Sequence, residues 1–186
     1  MKTALLVIDA QMALAHEDAS GTERSCRGAE DNIVSLLNKF RSSGDTVVHI
    51  HHHGTDRNDP FHPSAPGSAV QPFAAPKGDE QVIIKNVSSA FCGTTLLSDL
   101  QDAGIQCVII CGATANHCAE SAARSASSLG FDMIYVSDAV WAYDSTGPDG
   151  VFHTAEQIHS VTLANLHGEF GVVQSTEDTL LHFINK

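Results

Sequence analysis

The sequence predicts an α/β fold, a three-layer α/β/α sandwich in which a six-stranded, mostly parallel sheet lies between helices. Short apolar runs rich in β-branched residues recur along the 186 residues, and segments with helical spacing separate them. The runs are largely continuous rather than alternating, which is typical of strands buried on both faces of a parallel sheet. Strands that alternate with helices favour right-handed crossovers, and these place helices on both faces of the sheet.

The first half of the chain is predicted to supply three strands and one long helix. Residues 4–8 are continuously apolar and form the first strand. A helix follows, because four apolar residues are spaced at positions i, i+3, i+4 and i+7 and so share one helix face: Ile33, Leu36, Leu37 and Phe40. Gly44 is expected to end this helix. The second and third strands are residues 46–50 and 81–85.

The second half continues the alternation of helices and strands. Its predicted elements are a helix over 94–103, a strand over 105–111, a helix over 116–129, a strand over 131–136, a helix over 154–166, a strand over 170–174 and a short tail helix. Gly104 and Gly130 follow the first two helices and end them. The helix over 116–129 carries alanines on one face, and these allow close packing on a sheet: Ala119, Ala122, Ala123 and Ala126.

One connection interrupts this alternation. Residues 52–80 contain no convincing helix and hold five of the six prolines. Loops of this length in a compact domain are usually lids, binding loops or oligomer contacts.

Length, charge and cysteine content narrow the functional class. The chain is expected to form one domain over residues 1–186. Ten Lys and Arg against 22 Asp and Glu give a net charge of −12, which argues against a nucleic-acid or anionic-membrane surface as partner. No apolar run is long enough to span a bilayer, and the N-terminal residues do not resemble a signal peptide. Five cysteines without a CxxC pair disfavour a disulfide scaffold or a zinc ribbon, so we expect a cytoplasmic protein.

Three reactive side chains follow three of the predicted strands. Asp9 follows the first strand, Lys85 ends the third, and Cys118 lies a few residues after the fourth. Each of them alone is compatible with a structural role. Because parallel strands end at the same edge of a sheet, together they place an acid, a cation and a thiol there. This set of groups is suited to covalent catalysis.

Several motifs extend this pattern over nearly the whole chain: LVIDAQ at 6–11, Lys85 with SAFCGT at 89–94, and GATANHCAESA at 112–122. SDA at 137–139 and LANL at 163–166 fit the same order. The sequence thereby resembles the isochorismatase-like cysteine hydrolases. The resemblance implies the Rossmann-like, isochorismatase-like hydrolase fold and a catalytic triad of Asp9, Lys85 and Cys118.

The triad implies a mechanism. A helix N-terminus and a nearby ammonium are expected to lower the pKa of the Cys118 thiol and favour the nucleophilic thiolate. Asp9 would take the thiol proton and return it to the leaving amine, and Lys85 would keep Asp9 ionised. The resemblance also implies an oxyanion hole formed by the backbone N–H groups of Thr114 and Cys118. It further implies a cis peptide bond between Ala113 and Thr114.

Further residues beyond the strand ends are candidates for substrate binding: Gln11, Phe91, Asn116, His117, Trp141 and Tyr143. Trp141 and Tyr143 could equally be dimer contacts. Ala115 stands where the family motif often has threonine, which affects the expected substrate more than the triad.

Histidines are concentrated at 49 and 51–53, with His62 beyond them. Imidazoles at this density could bind a divalent metal, as they do in the nicotinamidases of this superfamily. Alternation along a strand, however, points His49 and His51 to one face and His52 to the other. We therefore expect no metal and no cofactor.

The expected function is hydrolysis of a C–N bond in a small metabolite through an acyl-enzyme on Cys118. The alternatives are vinyl-ether hydrolysis of the isochorismatase type, a nicotinamidase-like metal-containing amidase, and a non-catalytic binding protein that retains the fold. The expected partners are a small-molecule substrate and further copies of the chain in a homodimer or larger homo-oligomer.

Overall fold

The computed structural model describes residues 1–184 and contains eight strands and six α-helices in that range. The strands are β1 (Thr3–Ile8), β2 (Thr46–His52), β3 (Gln81–Lys85), β4 (Cys107–Ala113), β5 (Asp132–Trp141), β6 (Ser145–Thr146), β7 (Phe152–His153) and β8 (Val172–Gln174). The helices are α1 (Met12–Ala19), α2 (Ala29–Ser43), α3 (Leu96–Asp102), α4 (Cys118–Ser128), α5 (Ala155–Leu166) and α6 (Thr176–Ile184).

Six strands form one sheet in the order β3-β2-β1-β4-β5-β8, and every pairing in it is parallel. Strands β6 and β7 form a separate antiparallel hairpin. The strand order reverses between β1 and β4, because the chain first builds outward through β2 and β3 and then returns to the other side of β1. In open α/β sheets, such a switch point leaves a crevice at the carboxyl ends of the strands, where ligands bind.

Each face of the sheet is buried under its own layer of helices. One apolar cluster joins alternate side chains of the strands to α3, α4 and α5, and it includes the alanine face of α4. The other cluster joins the opposite side chains to α1, α2 and α6, with the apolar face of α2 at its centre. Helix α2 ends at Gly44 in the left-handed conformation, as the sequence predicts. The three-layer architecture is therefore confirmed.

Four local features were not anticipated from the sequence. Strand β5 continues to Trp141 instead of ending at Val136, so the SDA motif lies within the strand. Helix α1 and the β6–β7 hairpin were not predicted. The long connection after β2 contains two single-turn 3-10 segments, Pro66–Ser68 and Pro72–Ala74, each with a proline at its start.

Within residues 1–184, none of the helices has the length and apolarity that crossing a membrane requires.

Candidate active site

Asp9, Lys85 and Cys118 meet at the carboxyl edge of the sheet. Lys85 Nζ lies 2.7 Å from Asp9 Oδ2 and 3.2 Å from Cys118 Sγ. The Lys85 side chain is fully buried, and that of Asp9 is 5% exposed. The structure thus brings the three predicted catalytic residues into direct contact.

The topology explains how residues so far apart in sequence come together. Asp9 follows β1, and Cys118 begins α4, the helix after β4, so the two flank the switch point between β1 and β4. Gly112 permits the close approach of these strands, because a Cβ there would lie 2.1 Å from the Ile8 carbonyl oxygen. Its φ of 106° also favours glycine. Lys85 ends β3, two strands from β1, and its long side chain spans the intervening β2.

The Lys85 ammonium has a third contact, with His52 at the end of β2. His52 is the register partner of Lys85, and its Nδ1 lies 3.3 Å from Nζ. An ammonium group has three N–H donors and accepts no hydrogen bond. The three donors of Lys85 are therefore matched by three acceptors, which are the carboxylate of Asp9, the sulfur of Cys118 and the ring nitrogen of His52.

Asp9 is held in an unusual backbone conformation. Its φ is 47°, and its N–H donates to the carbonyl of Ile50 at 2.8 Å. Positive φ is uncommon outside glycine and tends to occur at functional sites. Burial raises the pKa of the Asp9 carboxyl, while Lys85 and the nearby Cys118 thiol oppose this rise. Asp9 Oδ1 is buried without a hydrogen-bond partner in the described part of the chain, so it is free to receive a proton.

The ionisation of Cys118 differs from the sequence expectation. Burial, followed by the carboxylate of Asp9, raises the pKa of the thiol to about 11, although Lys85 opposes the rise. The expectation of a lowered pKa is wrong, because desolvation and a neighbouring negative charge both disfavour a thiolate. At neutral pH Cys118 is therefore a thiol, and it needs a base to become a nucleophile.

Thr114 and Cys118, whose N–H groups are the expected oxyanion donors, both line the cavity beside the triad. The peptide bond between Ala113 and Thr114 is cis, as the resemblance implies. The carbonyl of Thr114 accepts hydrogen bonds from the N–H groups of His117 and Ala119, at 3.1 and 3.3 Å. The segment between β4 and α4 is thereby held as a tight turn into the helix.

The cavity has a volume of about 350 Å³, at the small end of the range for ligand sites. Polar and apolar side chains line it together: Asp9, Leu14, His52, Phe61, Ser88, Ala113, Thr114, His117 and Cys118. A second, polar groove shares Ser88 and His117 with this cavity and continues along α4. The arrangement fits a small molecule whose reacting carbon lies against Cys118.

Comparison with known proteins identifies the family. Residues 3–178 match the Isochorismatase domain family. The chain is 35% identical to the isochorismatase family protein YrdC of Bacillus subtilis, over 98% of this chain and 97% of that one. The chain belongs to the isochorismatase family of hydrolases.

Two further relatives are informative. An isochorismatase-family crystal structure from Chromobacterium violaceum superposes with a TM-score of 0.95 at 33% identity, covering 100% of this chain and 95% of that one. Streptothricin hydrolase of Streptomyces noursei is 32% identical over 76% of this chain, but the matched region is 50% of its own length. The first relative shows that this isochorismatase-family member has the family fold over its whole length, and the second is a hydrolase.

The residues predicted to bind substrate are only partly brought to the cavity of this hydrolase. His117 lines it, and its ring nitrogens contact Thr114 Oγ1 at 3.0 Å and Asn116 Nδ2 at 3.2 Å. Asn116 lines the adjoining groove along α4. Phe91 lies at a separate surface cavity and stacks on Phe131, with ring centroids 6.1 Å apart.

Gln11 and Trp141 require correction, because both side chains are fully buried against protein. Gln11 binds backbone groups, accepting from the N–H of His52 and donating to the carbonyls of His52 and Ser68. Trp141 packs against the guanidinium of Arg24 and donates to the hydroxyl of Tyr143.

Tyr143 also lies outside the cavity. Its hydroxyl donates to the carboxylate of Asp18 at 2.8 Å and lies 3.2 Å from the carbonyl of Leu14. Trp141 and Tyr143 therefore pack beside α1 and do not line the cavity. A buried Trp141 does not serve as a dimer contact either.

The histidines at the end of β2 are divided between the two faces of the sheet. His49 and His51 lie on the α2 side, where His49 Nε2 contacts Glu80 at 2.9 Å, whereas His52 lies on the opposite side with Lys85. Among the side chains of residues 1–181, no three of His, Cys, Asp or Glu are grouped so as to hold a metal ion. The residues present therefore do not fit the nicotinamidase-like metal site.

Five residues of the cavity wall were not predicted from the sequence to line it: Leu14, His52, Phe61, Ser88 and Ala113. His52 and Ser88 carried a usable signal, because each is a polar residue at or just after the end of a strand. Leu14 and Phe61 carried none, since they come from the unpredicted helix α1 and from the long connection.

Proposed function

We propose that this protein is a cysteine hydrolase that cleaves the C–N bond of a small amide through an acyl-enzyme on Cys118. The observation that carries the proposal is the contact of one buried ammonium with both a carboxylate and a thiol sulfur, at 2.7 and 3.2 Å. A nucleophile, a base and a group that orients the base are the elements of covalent acyl transfer.

In the first half of the reaction, the Cys118 proton moves to Asp9 as the sulfur attacks the substrate carbonyl. The raised pKa of the Asp9 carboxyl makes it a stronger base than an ordinary aspartate, and its free Oδ1 can receive the proton. The tetrahedral oxyanion is stabilised by the N–H groups of Thr114 and Cys118. A preorganised donor of this kind contributes roughly 3 kcal/mol. When the C–N bond breaks, Asp9 transfers the proton to the leaving amine and a thioester remains on Cys118.

In the second half, water replaces the departed amine. Asp9, again ionised, accepts a proton from the water as the oxygen attacks the thioester carbonyl. Collapse of the second tetrahedral intermediate breaks the C–S bond, and the proton on Asp9 returns to the sulfur. The products are a carboxylic acid and an amine, and the thiol is restored.

An amide fits these residues better than a vinyl ether. An amine leaves readily only as a protonated species, and Asp9 beside the sulfur supplies that proton. Vinyl-ether hydrolysis proceeds without a cysteine nucleophile in some relatives, so the contact of Cys118 with Lys85 would serve no purpose in such a reaction. A non-catalytic binding protein would likewise have no need of a buried ammonium between a carboxylate and a thiol.

The direct test is the Cys118→Ala variant in a screen of small amides with ammonia release as the readout. We expect turnover to fall by about a thousandfold or more, because the nucleophile is lost. The fold should persist, since the change removes one sulfur atom and costs about 1 kcal/mol.

Cys92→Ala is the matched control, because Cys92 is exposed and lies outside the cavity. It should retain wild-type turnover. Hydrolysis at near the wild-type rate by folded Cys118→Ala protein would contradict the covalent mechanism.

A further inference from the structure

The contact between Lys85 and His52 determines which nitrogen of His52 carries a proton. Because an ammonium can only donate, the 3.3 Å contact with Nδ1 requires that Nδ1 be unprotonated. The proton of the neutral ring therefore resides on Nε2. Since His52 lines the cavity beside Cys118, this tautomer leaves an N–H donor available to a bound molecule.

The ring is also held in place. Gln11 binds both the N–H and the carbonyl of His52, at 2.7 and 3.0 Å. The ring packs edge-on against Phe61, with centroids 5.6 Å apart. A donor held at its backbone, by the ring contact with Phe61 and at its Nδ1 is preorganised, so it loses little conformational freedom when a ligand binds.

The surrounding charges favour an uncharged ligand. Burial and the neighbouring Lys85 lower the pKa of His52, so its ring stays neutral near pH 7. The carboxylate of Asp9 lines the cavity, and the ammonium that compensates it is already bound to it. The remaining walls include the apolar side chains of Leu14, Phe61 and Ala113. A ligand carboxylate here would lose its hydration next to Asp9, and no Lys or Arg is among the described residues that line the cavity to offset that cost.

We propose that His52 is the residue that selects the substrate, donating its Nε2–H to an oxygen of an uncharged small carboxamide and disfavouring carboxylate-bearing substrates. This proposal rests on the proposed function, because it concerns the same cavity and the same nucleophile. His52 is then a substrate-binding residue. Lys85, besides contacting Asp9 and Cys118, is a positioning residue that keeps the ring proton of His52 on Nε2.

The tautomer can be measured without any substrate. In protein labelled with 15N-histidine, we expect the His52 ring to show an unprotonated Nδ1 and a protonated Nε2 at pH 7. In Lys85→Met this preference should weaken, since the donor to Nδ1 is lost. A ring protonated on Nδ1 in the wild-type protein would overturn the proposal.

Selectivity can be measured by alkylating Cys118 with three small iodides. Iodoacetamide is uncharged with an amide oxygen, allyl iodide has a similar size without an acceptor, and iodoacetate is anionic. Each rate is divided by the rate with free cysteine and is followed at the peptide that contains Cys118, so that Cys92 does not contribute. We expect a normalised preference for iodoacetamide of about fivefold over allyl iodide, as one neutral hydrogen bond provides, and a larger one over iodoacetate.

Two variants connect this preference to His52. In His52→Leu the preference for iodoacetamide over allyl iodide should disappear, whereas His52→Gln should retain it because its amide keeps an N–H donor and an oxygen that can accept from Lys85. Equal normalised rates in the wild-type protein, or a preference unchanged in His52→Leu, would refute the role of His52. These rates need no turnover, so their failure is distinct from failure of the proposed function, which the hydrolysis screen of Cys118→Ala decides.

Discussion

Lys85 sets the charge of the candidate site. Its ammonium is buried, and a buried cation is tolerated only when an opposite charge and further acceptors surround it. Asp9 supplies that charge at 2.7 Å, while the sulfur of Cys118 and a nitrogen of His52 occupy the other two donors. The proton that moves during acyl transfer therefore starts and ends within reach of this single amino group.

This arrangement predicts the effect of Lys85→Met, which keeps the length of the side chain and removes its charge. Without the ammonium, the pKa of the Asp9 carboxyl should rise further, so that less of Asp9 is ionised at neutral pH and able to take the Cys118 proton. We expect the protein to fold and kcat/KM to fall by about 100-fold or more, as for loss of a general base. The activity that remains should increase as the pH is raised. The measurement is ammonia release from the best amide of the screen across a pH range.

Lys77→Met is the control for that experiment, because Lys77 is an exposed lysine of the long connection before β3. It should leave both the rate and its pH dependence unchanged. If Lys85→Met matched the wild-type protein in activity and in the reactivity of Cys118, the role assigned to Lys85 would be wrong.

At the scale of elements, Glu80 joins the long connection to the sheet directly before β3. Its carboxylate accepts two hydrogen bonds from Arg41 of α2, at 2.6 and 2.8 Å, and one from the N–H of Lys77. It also lies 2.9 Å from Nε2 of His49 on β2. Because β3 ends in Lys85, this contact fixes the start of the strand that delivers the ammonium to the site.

The Glu80 contacts predict a pH-dependent stability. Hydrogen bonding from Arg41, the leading cause, lowers the pKa of Glu80 to about 2. A carboxyl whose pKa is lower in the folded state stabilises the protein above its ordinary pKa, and that stability is lost as the pH falls through the folded value. We expect Glu80→Gln to lower the free energy of unfolding by about 2 kcal/mol at pH 7 and by progressively less toward pH 2. Urea unfolding of both proteins at pH 7 and pH 3 measures the difference.

Glu17→Gln is a suitable comparison, since Glu17 is an exposed carboxylate on α1. It should change the free energy of unfolding little at either pH. An equal effect of Glu80→Gln at pH 7 and pH 3 would mean that the charge of Glu80 does not stabilise the fold.

Elements with a strong local pattern could be predicted from the sequence, and the others could not. Residues 81–85 form a strand with the predicted bounds, and α2 ends at Gly44 because only the glycine readily takes its left-handed conformation. Strand β5 was predicted too short because its pairing with β4 shifts register after Ile110, so Ser137 and Asp138 continue the strand despite their polar side chains. Helix α1 has only eight residues and no side-chain cap, so its sequence carries a weak signal.

At the scale of the whole molecule, the site residues that could be predicted are those whose position follows from the parallel sheet. Asp9, Lys85 and Cys118 follow from strand ends that share one edge, and they do meet. The raised pKa of Cys118 could not be read from the sequence, because it depends on how deeply the thiol is buried. The substrate wall was equally unpredictable where tertiary contacts decide it, as for Trp141, which packs under Arg24 instead of facing a ligand.

The distribution of histidines over the molecule leads to the last prediction. A metal site needs several ligands that converge on one point, but β2 directs His49 and His51 to one face of the sheet and His52 to the other. His49 is engaged by Glu80, and His52 by Lys85. Acyl transfer by a thiol, a carboxylate and backbone donors requires no Lewis acid.

We therefore expect hydrolysis to survive exhaustive chelation with its rate unchanged. The measurement is the metal content of untagged protein by elemental analysis, with amide hydrolysis assayed before and after treatment with chelator. Return of Zn²⁺ or Mn²⁺ to the treated protein is the control that separates removal of an ion from damage to the fold. A stoichiometric ion whose removal abolishes activity and whose return restores it would contradict the metal-free mechanism. It would also mean that residues 52–80 rearrange on binding to bring their histidines and aspartates to the cavity.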